Sequence, residues 1–301
     1  MEFIDVMRAG NVFGDGEHDD TKALQACFDR AGEGGTVYIP DGTYLISAAL
    51  IFYTGQRIRL GSGARLLRSA KTDPVTRYML ASYSDPSDDG YGGVHDVVIS
   101  GGIFDGNAET DEFLTIINTV RCSDITVENA TFLHGAGWHC IEFNSTRGAV
   151  VRGCVFDGTS YTRMRDNLTN ELIQTDAPDV NSYGPVYNCD GTLIDFRMGK
   201  TPCRDVLIEN NIFRCAGFPA VGHHGDHAHS NIVIRNNIFD GTCYTEGRTR
   251  GYITFMPQVS GVSVTGNVFI SPDLPDRIED TFQIKNPDPA ALFSADNTVI
   301  R

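Results

Sequence analysis

A short pattern of apolar and polar positions recurs six times along the chain. Each copy alternates apolar and polar residues as a β-strand does, passes through a small or polar pair, and ends in phenylalanine. The copies read DVVISGGIF at 96–104, DITVENATF at 124–132, GAVVRGCVF at 148–156, DVLIENNIF at 205–213, NIVIRNNIF at 231–239 and GVSVTGNVF at 261–269. The phenylalanines are 28, 24, 57, 26 and 30 residues apart. Such a period predicts a solenoid of stacked coils, each built from short strands.

Short strands with a corner in every coil are typical of a parallel β-helix, and a β-sandwich with coincidental spacing is the alternative. Asparagines at the turns, such as Asn129, Asn210 and Asn236, suit left-handed corners. Stacked asparagines can also bond to one another along the helix. The long interval of 57 residues indicates a coil interrupted by an insertion at 157–202. We therefore predict an all-β chain with one domain over 1–301.

The N-terminal segment predicts a cap for this solenoid. HDDTKALQACFDRA (18–31) combines aspartates that could cap a helix with apolar spacing at Leu24, Cys27 and Phe28, which indicates an amphipathic helix. GGTVYIPDGTYLIS (34–47) then supplies a turn and strands. Residues 1–47 would thus form a short capping helix with the first strands and protect the open end from edge-to-edge pairing.

The segment FGDGEHDDTKALQACFDRAGEGGTVYIPDGTYLIS (13–47) resembles the N-terminal signature of the pectate-lyase/polygalacturonase-like β-helix proteins. The resemblance implies a right-handed, single-stranded parallel β-helix and a carbohydrate-active protein. The group contains hydrolases, lyases, epimerases and non-catalytic binders, so it does not imply a reaction. The polygalacturonase catalytic pattern of Asn-Thr-Asp, Asp-Asp, His-Gly and Arg-Ile-Lys is not matched. Asp19–Asp20 falls in the cap, and Gln283-Ile284-Lys285 has Gln in place of Arg.

Five segments that follow the phenylalanine corners align without gaps as a further strand of each coil. They are HCIEFNS (139–145), ELIQTDA (171–177), PAVGHHG (219–225), GYITFMP (251–257) and DTFQIKN (280–286). Their third and fifth columns are mostly apolar and should face inward, which places His223 in the core. Alternation then turns the fourth and sixth columns outward. The outward residues are Glu142, Gln174, Gly222, Thr254 and Gln283, with Asn144, Asp176, His224, Met256 and Lys285.

This outward face predicts a catalytic site formed by Glu142, Asp176 and His224. The two carboxylates are offset by one coil and two residues, so their Cα atoms should be roughly 8 Å apart. That spacing leaves open a retaining or an inverting glycoside hydrolase. His224, one coil beyond Asp176, would orient or protonate it.

Other polar residues near this face are candidates for substrate binding, although a structural role is the alternative for each. They are Gln174, Asn144, Glu171, Asp179, His227, Trp138 and Lys285. No metal-ligand motif is matched, so we expect no metal site and no cofactor. The main alternative reaction is β-elimination by a polysaccharide lyase, with His224 as base and Ca²⁺ held by Asp176 and Asp179. The third alternative is a non-catalytic glycan-binding or tailspike-like protein.

Charge and composition limit the classes of molecule that we expect the protein to bind. The formal net charge is −15 and no basic stripe occurs, which argues against nucleic acid and anionic membranes as partners. Neutral oligo- or polysaccharides carry no electrostatic penalty, and the charge favours a hydrolase over a polyuronate lyase. The eight cysteines lack CxxC spacing, so we expect free thiols and a cytoplasmic protein, or a secreted one if a signal peptide has been removed. A homo-oligomer such as a trimer is compatible with the fold.

Overall fold

Three long parallel sheets form the molecule in this computed structural model, and the chain visits them in turn as it winds. The structure describes residues 2–70, 78–85, 88–107, 109, 114–135, 139–157, 171–177, 186–187, 193–194, 201–214, 220–223, 227–241, 252–255, 258–272 and 274–301. A coil consists of one strand in sheet A, one in sheet B and one in sheet C, and neighbouring strands in every sheet are parallel. The predicted right-handed parallel β-helix is confirmed.

The strands of sheet A are Phe3–Asp5, Thr36–Ile39, Arg57–Leu60, His95–Ser100, Ser123–Glu128, Val150–Arg152, Arg204–Glu209, Ser230–Arg235, Ser260–Thr265 and Leu292–Ala295. The strands of sheet B are Asp15–Asp19, Gly42–Ile46, Ala64–Arg68, Ile103–Asp105, Thr131–Leu133, Val155–Asp157, Ile212–Arg214, Ile238–Asp240, Val268–Ile270 and Thr298–Ile300. The strands of sheet C are Leu50–Phe52, Tyr78–Ser82, Thr115–Val120, Ile141–Asn144, Ile173–Asp176, Val221–Gly222, Ile253–Phe255 and Gln283–Ile284. A small antiparallel pair, Val186–Tyr187 with Leu193–Ile194, lies in the predicted insertion.

The sixfold sequence pattern covers a strand of sheet A and the following strand of sheet B. Its phenylalanines pair in register from Phe104 through Phe132, Phe156, Phe213 and Phe239 to Phe269. Successive ring centroids are 4.7–5.4 Å apart and each ring is at most 1% exposed. A stacked aromatic column therefore runs through the core beside sheet B.

The asparagine-rich turns connect sheet A to sheet B, where they form left-handed corners and hydrogen bonds between coils. Asn129, Asn210 and Asn236 adopt left-handed backbone angles with φ of 56° to 57°, as the composition of the corners predicts. The residue after each of the last two, Asn211 and Asn237, is buried and bonds along the stack. The corners are thus held by an internal ladder of amides.

The N-terminal cap contains the helices Val6–Ala9 and Thr21–Ala31, and two 3₁₀ helices, Ile278–Thr281 and Pro289–Ala291, lie near the other end. The predicted amphipathic helix is confirmed, but the predicted aspartate capping differs. Asp20 occupies the N-cap position without a side-chain capping bond, because its carboxylate accepts bonds from the N–H groups of Phe13 and Gly14. Asp19 instead accepts a bond from the N–H of Thr21.

The described cysteines are buried, free thiols, as their spacing predicts: Cys27, Cys122, Cys140, Cys154 and Cys203. Burial raises the pKa of Cys122, Cys154 and Cys203 to about 12. These thiols therefore act as small apolar groups at neutral pH. No helix in the described part of the chain is long and apolar enough to cross a membrane.

Candidate functional site

Sheet C has the strand register that the sequence columns predict. Ile141, Ile173, Val221 and Ile253 are consecutive partners and belong to the core. The next column runs Asn118, Glu142, Gln174, Gly222, Thr254 and Gln283. Because side chains alternate along a strand, this second column belongs to the face of sheet C that points away from the core, here called the outer face.

Four polar residues of the outer face are buried rather than exposed to solvent. Glu142 is 5% exposed, Asp176 3%, Gln174 1% and Asn144 0%. Strand alternation predicts only which way a side chain points. Its exposure also depends on distant segments, which a column alignment does not include.

Glu142 accepts two hydrogen bonds from neutral donors on the preceding strand of sheet C. Thr115 Oγ1 donates over 3.2 Å and Asn118 Nδ2 over 3.1 Å, both to Oε2. Within the described chain no cationic side chain pairs with this carboxylate. The pair Thr115 and Asn118 was missed at the sequence level, because LTIINTV (114–120) is buried throughout and shows no polar alternation.

Asp176 has a histidine neighbour within the described part of the chain. His227 Nε2 is 3.5 Å from Asp176 Oδ1, and both side chains are largely buried. The same carboxylate oxygen accepts a bond of 2.7 Å from the N–H of Ala177. His224, the predicted partner, lies outside the described residues. The histidine-rich segment thus contributes to the site through His227, whose position in a turn could not be assigned from strand alternation.

The other histidines of this segment are in the interior. His223 is fully buried, with its ring centroid 5.5 Å from Phe255, as the inward column predicts. His229 is also fully buried. Its Nδ1 accepts a bond of 2.8 Å from the N–H of Cys203. Burial, followed by the neighbouring His223 and His227, holds the pKa of His229 well below its usual value.

Two buried polar side chains of the outer face have no hydrogen-bond partner among the residues that the structure describes. Asn144 pairs in register with Asp176, and no described residue bonds to its amide nitrogen or its amide oxygen. Thr254, two strands beyond Gln174 in the same column, has an unbonded hydroxyl. An unbonded buried polar group costs about 1–3 kcal/mol, so these atoms are places where ligand hydroxyls would restore lost hydrogen bonds.

The other residues that were predicted to bind substrate are not all found beside the two carboxylates. Glu171 is fully buried, its carbonyl oxygen 2.6 Å from His139 Nδ1, and its Cγ lies against Gly222. Lys285 is exposed at the far end of the sheet. Trp138 and Asp179 lie outside the described residues. Among the side chains that the structure describes, no group of three or more His, Cys, Asp or Glu is placed to hold a metal ion.

The fold and this face define the class: a pectin-lyase-like parallel β-helix protein. Residues 3–162 match the family described as rhamnogalacturonase A/epimerase, pectate lyase-like. The match covers slightly more than half of the chain, and the chain belongs to this family.

Among individual proteins, the chain is similar to plasmin and fibronectin-binding protein A of Streptococcus pneumoniae. The two are 27% identical over 289 residues, which cover 85% of this chain and 38% of that protein. This chain therefore spans well under half of its curated relative.

Solved structures agree on the fold. The surface adhesin PfbA of Streptococcus pneumoniae superposes with a TM-score of 0.69 at 22% identity, over 89% of this chain and 62% of the other. An exopolygalacturonase from Thermotoga maritima superposes with a TM-score of 0.63 at 12% identity, over 89% and 66%. An adhesin and an enzyme thus share this architecture.

Proposed function

We propose that the outer face of sheet C binds a glycan and hydrolyses a glycosidic bond with Glu142 and Asp176. The single observation that carries the proposal is the pair of buried carboxylates on adjacent strands, next to unbonded polar atoms of Asn144. Burying ionisable groups is costly, and a row of them beside unmet hydrogen-bonding capacity is typical of a functional site. Membership of a carbohydrate-active family supports the same choice of ligand.

The chemistry requires two carboxyl groups on either side of the scissile bond. One protonates the leaving glycosidic oxygen. The other activates a water molecule or attacks the anomeric carbon, so that the C–O bond is broken and the elements of water are added across it. The strand offset places the two Cα atoms roughly 8 Å apart. His227 beside Asp176 would hold that carboxylate in position and exchange a proton with it.

A second candidate function is glycan binding without turnover. The near-complete burial of both carboxylates favours it, because hydrolysis requires both groups to contact the scissile bond, whereas a glycan can bind without contacting either. The relatives whose names describe plasmin and fibronectin binding and a surface adhesin also favour it. Those names further favour the secreted location over the cytoplasmic one. Cell fractionation with an antibody would test the location directly.

A panel of defined oligosaccharides tests the proposal and distinguishes hydrolysis from lyase activity and from binding without turnover. Hydrolysis produces new reducing ends without ultraviolet absorbance from an unsaturated uronate. A lyase, which would use His224 and a cation held by Asp176 and Asp179, produces both. Binding detected by calorimetry without either product supports the second candidate. No binding and no product from a broad panel would contradict a glycan function altogether.

A further inference from the structure

Two tyrosines lie against each other just after the first two strands of sheet C. Tyr53 follows the strand Leu50–Phe52, and Tyr83 follows the strand Tyr78–Ser82. The N–H of Tyr83 donates to the carbonyl of Phe52 over 2.9 Å, which continues the parallel pairing of these strands. The two ring centroids are 5.7 Å apart, and the ring planes are tilted by 37°. These two side chains, here called the tyrosine pair, therefore form one aromatic surface across adjacent coils.

Strand alternation directs the tyrosine pair to the outer face of sheet C. Phe52, next to Tyr53, belongs to the main core, whereas Tyr53 packs against a separate apolar cluster that includes Ile51 and Val120. Because neighbouring residues of a strand point to opposite faces, Ile51 and Tyr53 share the outer face. Tyr83 is 44% exposed, so a ligand can reach this end of the outer face from solvent.

The tyrosine pair is in register with the polar residues of the proposed glycan site. The register of the second and third strands of sheet C, extended by two residues, places Tyr83 beside Val120. Val120 pairs with Asn144, which pairs with Asp176. Adjacent coils are about 4.8 Å apart, so the Cα atoms of Tyr83 and Asp176, three coils apart, are separated by about 14 Å. A glycan that lies along this column contacts both residues if it spans that distance.

The N-terminal cap holds the tyrosine pair in place. The hydroxyl of Tyr53 donates to Asp29 Oδ1 over 2.7 Å, and Gln25 Nε2 donates to the same oxygen over 2.7 Å. Gln25 also accepts a bond of 2.7 Å from the N–H of Ile51 and donates one of 3.1 Å to its carbonyl. Asp29 and Gln25 belong to the helix Thr21–Ala31. Because these bonds orient the ring of Tyr53 before a ligand arrives, little conformational freedom is lost on binding.

We propose that the tyrosine pair is a subsite on which a sugar ring of the bound glycan stacks, three coils away from Asp176. This inference rests on the proposed glycan site and specifies the length of its ligand. The C–H groups of a sugar ring form an apolar face, and their partial positive charge is attracted to the negative face of an aromatic ring. Tyrosine provides this contact area at low cost in conformational entropy. Glycans long enough to reach both the tyrosine pair and Asp176 are therefore the preferred ligands.

Calorimetry with oligosaccharides of one type and increasing length tests this preference. The affinity of the parent should rise by about five- to tenfold once the chain is long enough to reach the tyrosine pair, which corresponds to one stacked ring. Tyr83→Ala should abolish this rise, whereas its affinity for the shortest ligands that bind should change less than about twofold, because they do not reach the pair. Tyr83 is exposed, so the variant should keep the stability of the parent.

Two further variants make the test specific. Tyr83→Phe keeps the aromatic face without the hydroxyl and should keep the rise in affinity with length. Phe293→Ala removes a ring that is 61% exposed on the last strand of sheet A, and should leave every affinity unchanged. A rise that persists in Tyr83→Ala, or that is also lost in Tyr83→Phe, would overturn the inference while the proposed function stands. If the affinity of the parent does not rise with length, the inference is likewise wrong, and if no glycan binds, the proposed function falls with it.

Discussion

His229 is a buried residue whose surroundings favour its neutral form. Its Nδ1 accepts a bond from the N–H of Cys203, and the rings of His223 and His227 lie 4.5 Å and 5.8 Å away. The carboxylate of Asp176 lies beyond His227. Burial, more than the two histidines, holds the pKa of His229 well below its usual value. This ties the stability of the coil to pH.

We expect the free energy of unfolding to decrease as pH falls below about 6.5. The unfolded chain then takes up a proton at His229 that the folded chain does not, so the unfolded state binds more protons and acid favours it. His229→Asn offers an acceptor for the N–H of Cys203 and does not titrate. Urea unfolding measures the free energy of unfolding at pH 7.5 and at pH 5. The decrease between the two pH values should be smaller in this variant than in the parent. Equal losses would contradict the assignment.

For single residues, the sequence predicts which side chains point outward but not which groups bond to them. It placed Glu142, Asn144 and Asp176 on one face because strand alternation depends only on local register. The contact of His227 with Asp176 was not predicted, because a turn has no alternation to follow. The donors Thr115 and Asn118 were missed because their strand is buried on both sides, which removes the polar signal.

A ladder of asparagine amides holds the corners between sheets A and B. Asn237 Nδ2 donates to the carbonyl of Ile208 and to Asn267 Oδ1, both over 3.0 Å, while its Oδ1 accepts from Asn211. Asn267 continues the ladder to Asn297. Each amide therefore joins three successive coils.

Asn237→Asp should destabilise the protein by about 3–5 kcal/mol, because it replaces two buried donors by a charge that faces carbonyl oxygens. Asn236→Asp is the matched control. Asn236 is exposed and left-handed, a conformation that aspartate tolerates, so its change should stay within about 0.5 kcal/mol. Chemical denaturation of both variants measures the difference. A similar small change in both would show that the ladder contributes little.

At the scale of elements, the repeats predicted sheets A and B well and sheet C less well. The phenylalanine column and the asparagine corners recur with constant local spacing, so they align from sequence alone. The strands of sheet C follow segments of variable length, and only those with an apolar, polar alternation could be matched. The alignment therefore did not include the strand Thr115–Val120, although this strand supplies both donors to Glu142.

At the scale of the whole molecule, the parallel sheets bring residues far apart in sequence onto one face. Glu142 and Asp176 are separated by 34 positions in the chain yet lie on adjacent strands. The strand register makes this arrangement, and a slip of one residue would turn both carboxylates into the core. The proposed hydrolysis requires these two groups to act together on a bound glycan.

The most direct test measures turnover and binding in Glu142→Gln and Asp176→Asn, on a glycan that the parent hydrolyses. Loss of either carboxylate should reduce turnover by about 10²–10⁴-fold, while glycan affinity stays within a few-fold. Asp157→Asn, which removes a carboxylate of sheet B that is 41% exposed and pairs with Arg214, is the control and should keep full turnover. Parent-like turnover in Glu142→Gln and Asp176→Asn would contradict the proposed hydrolysis.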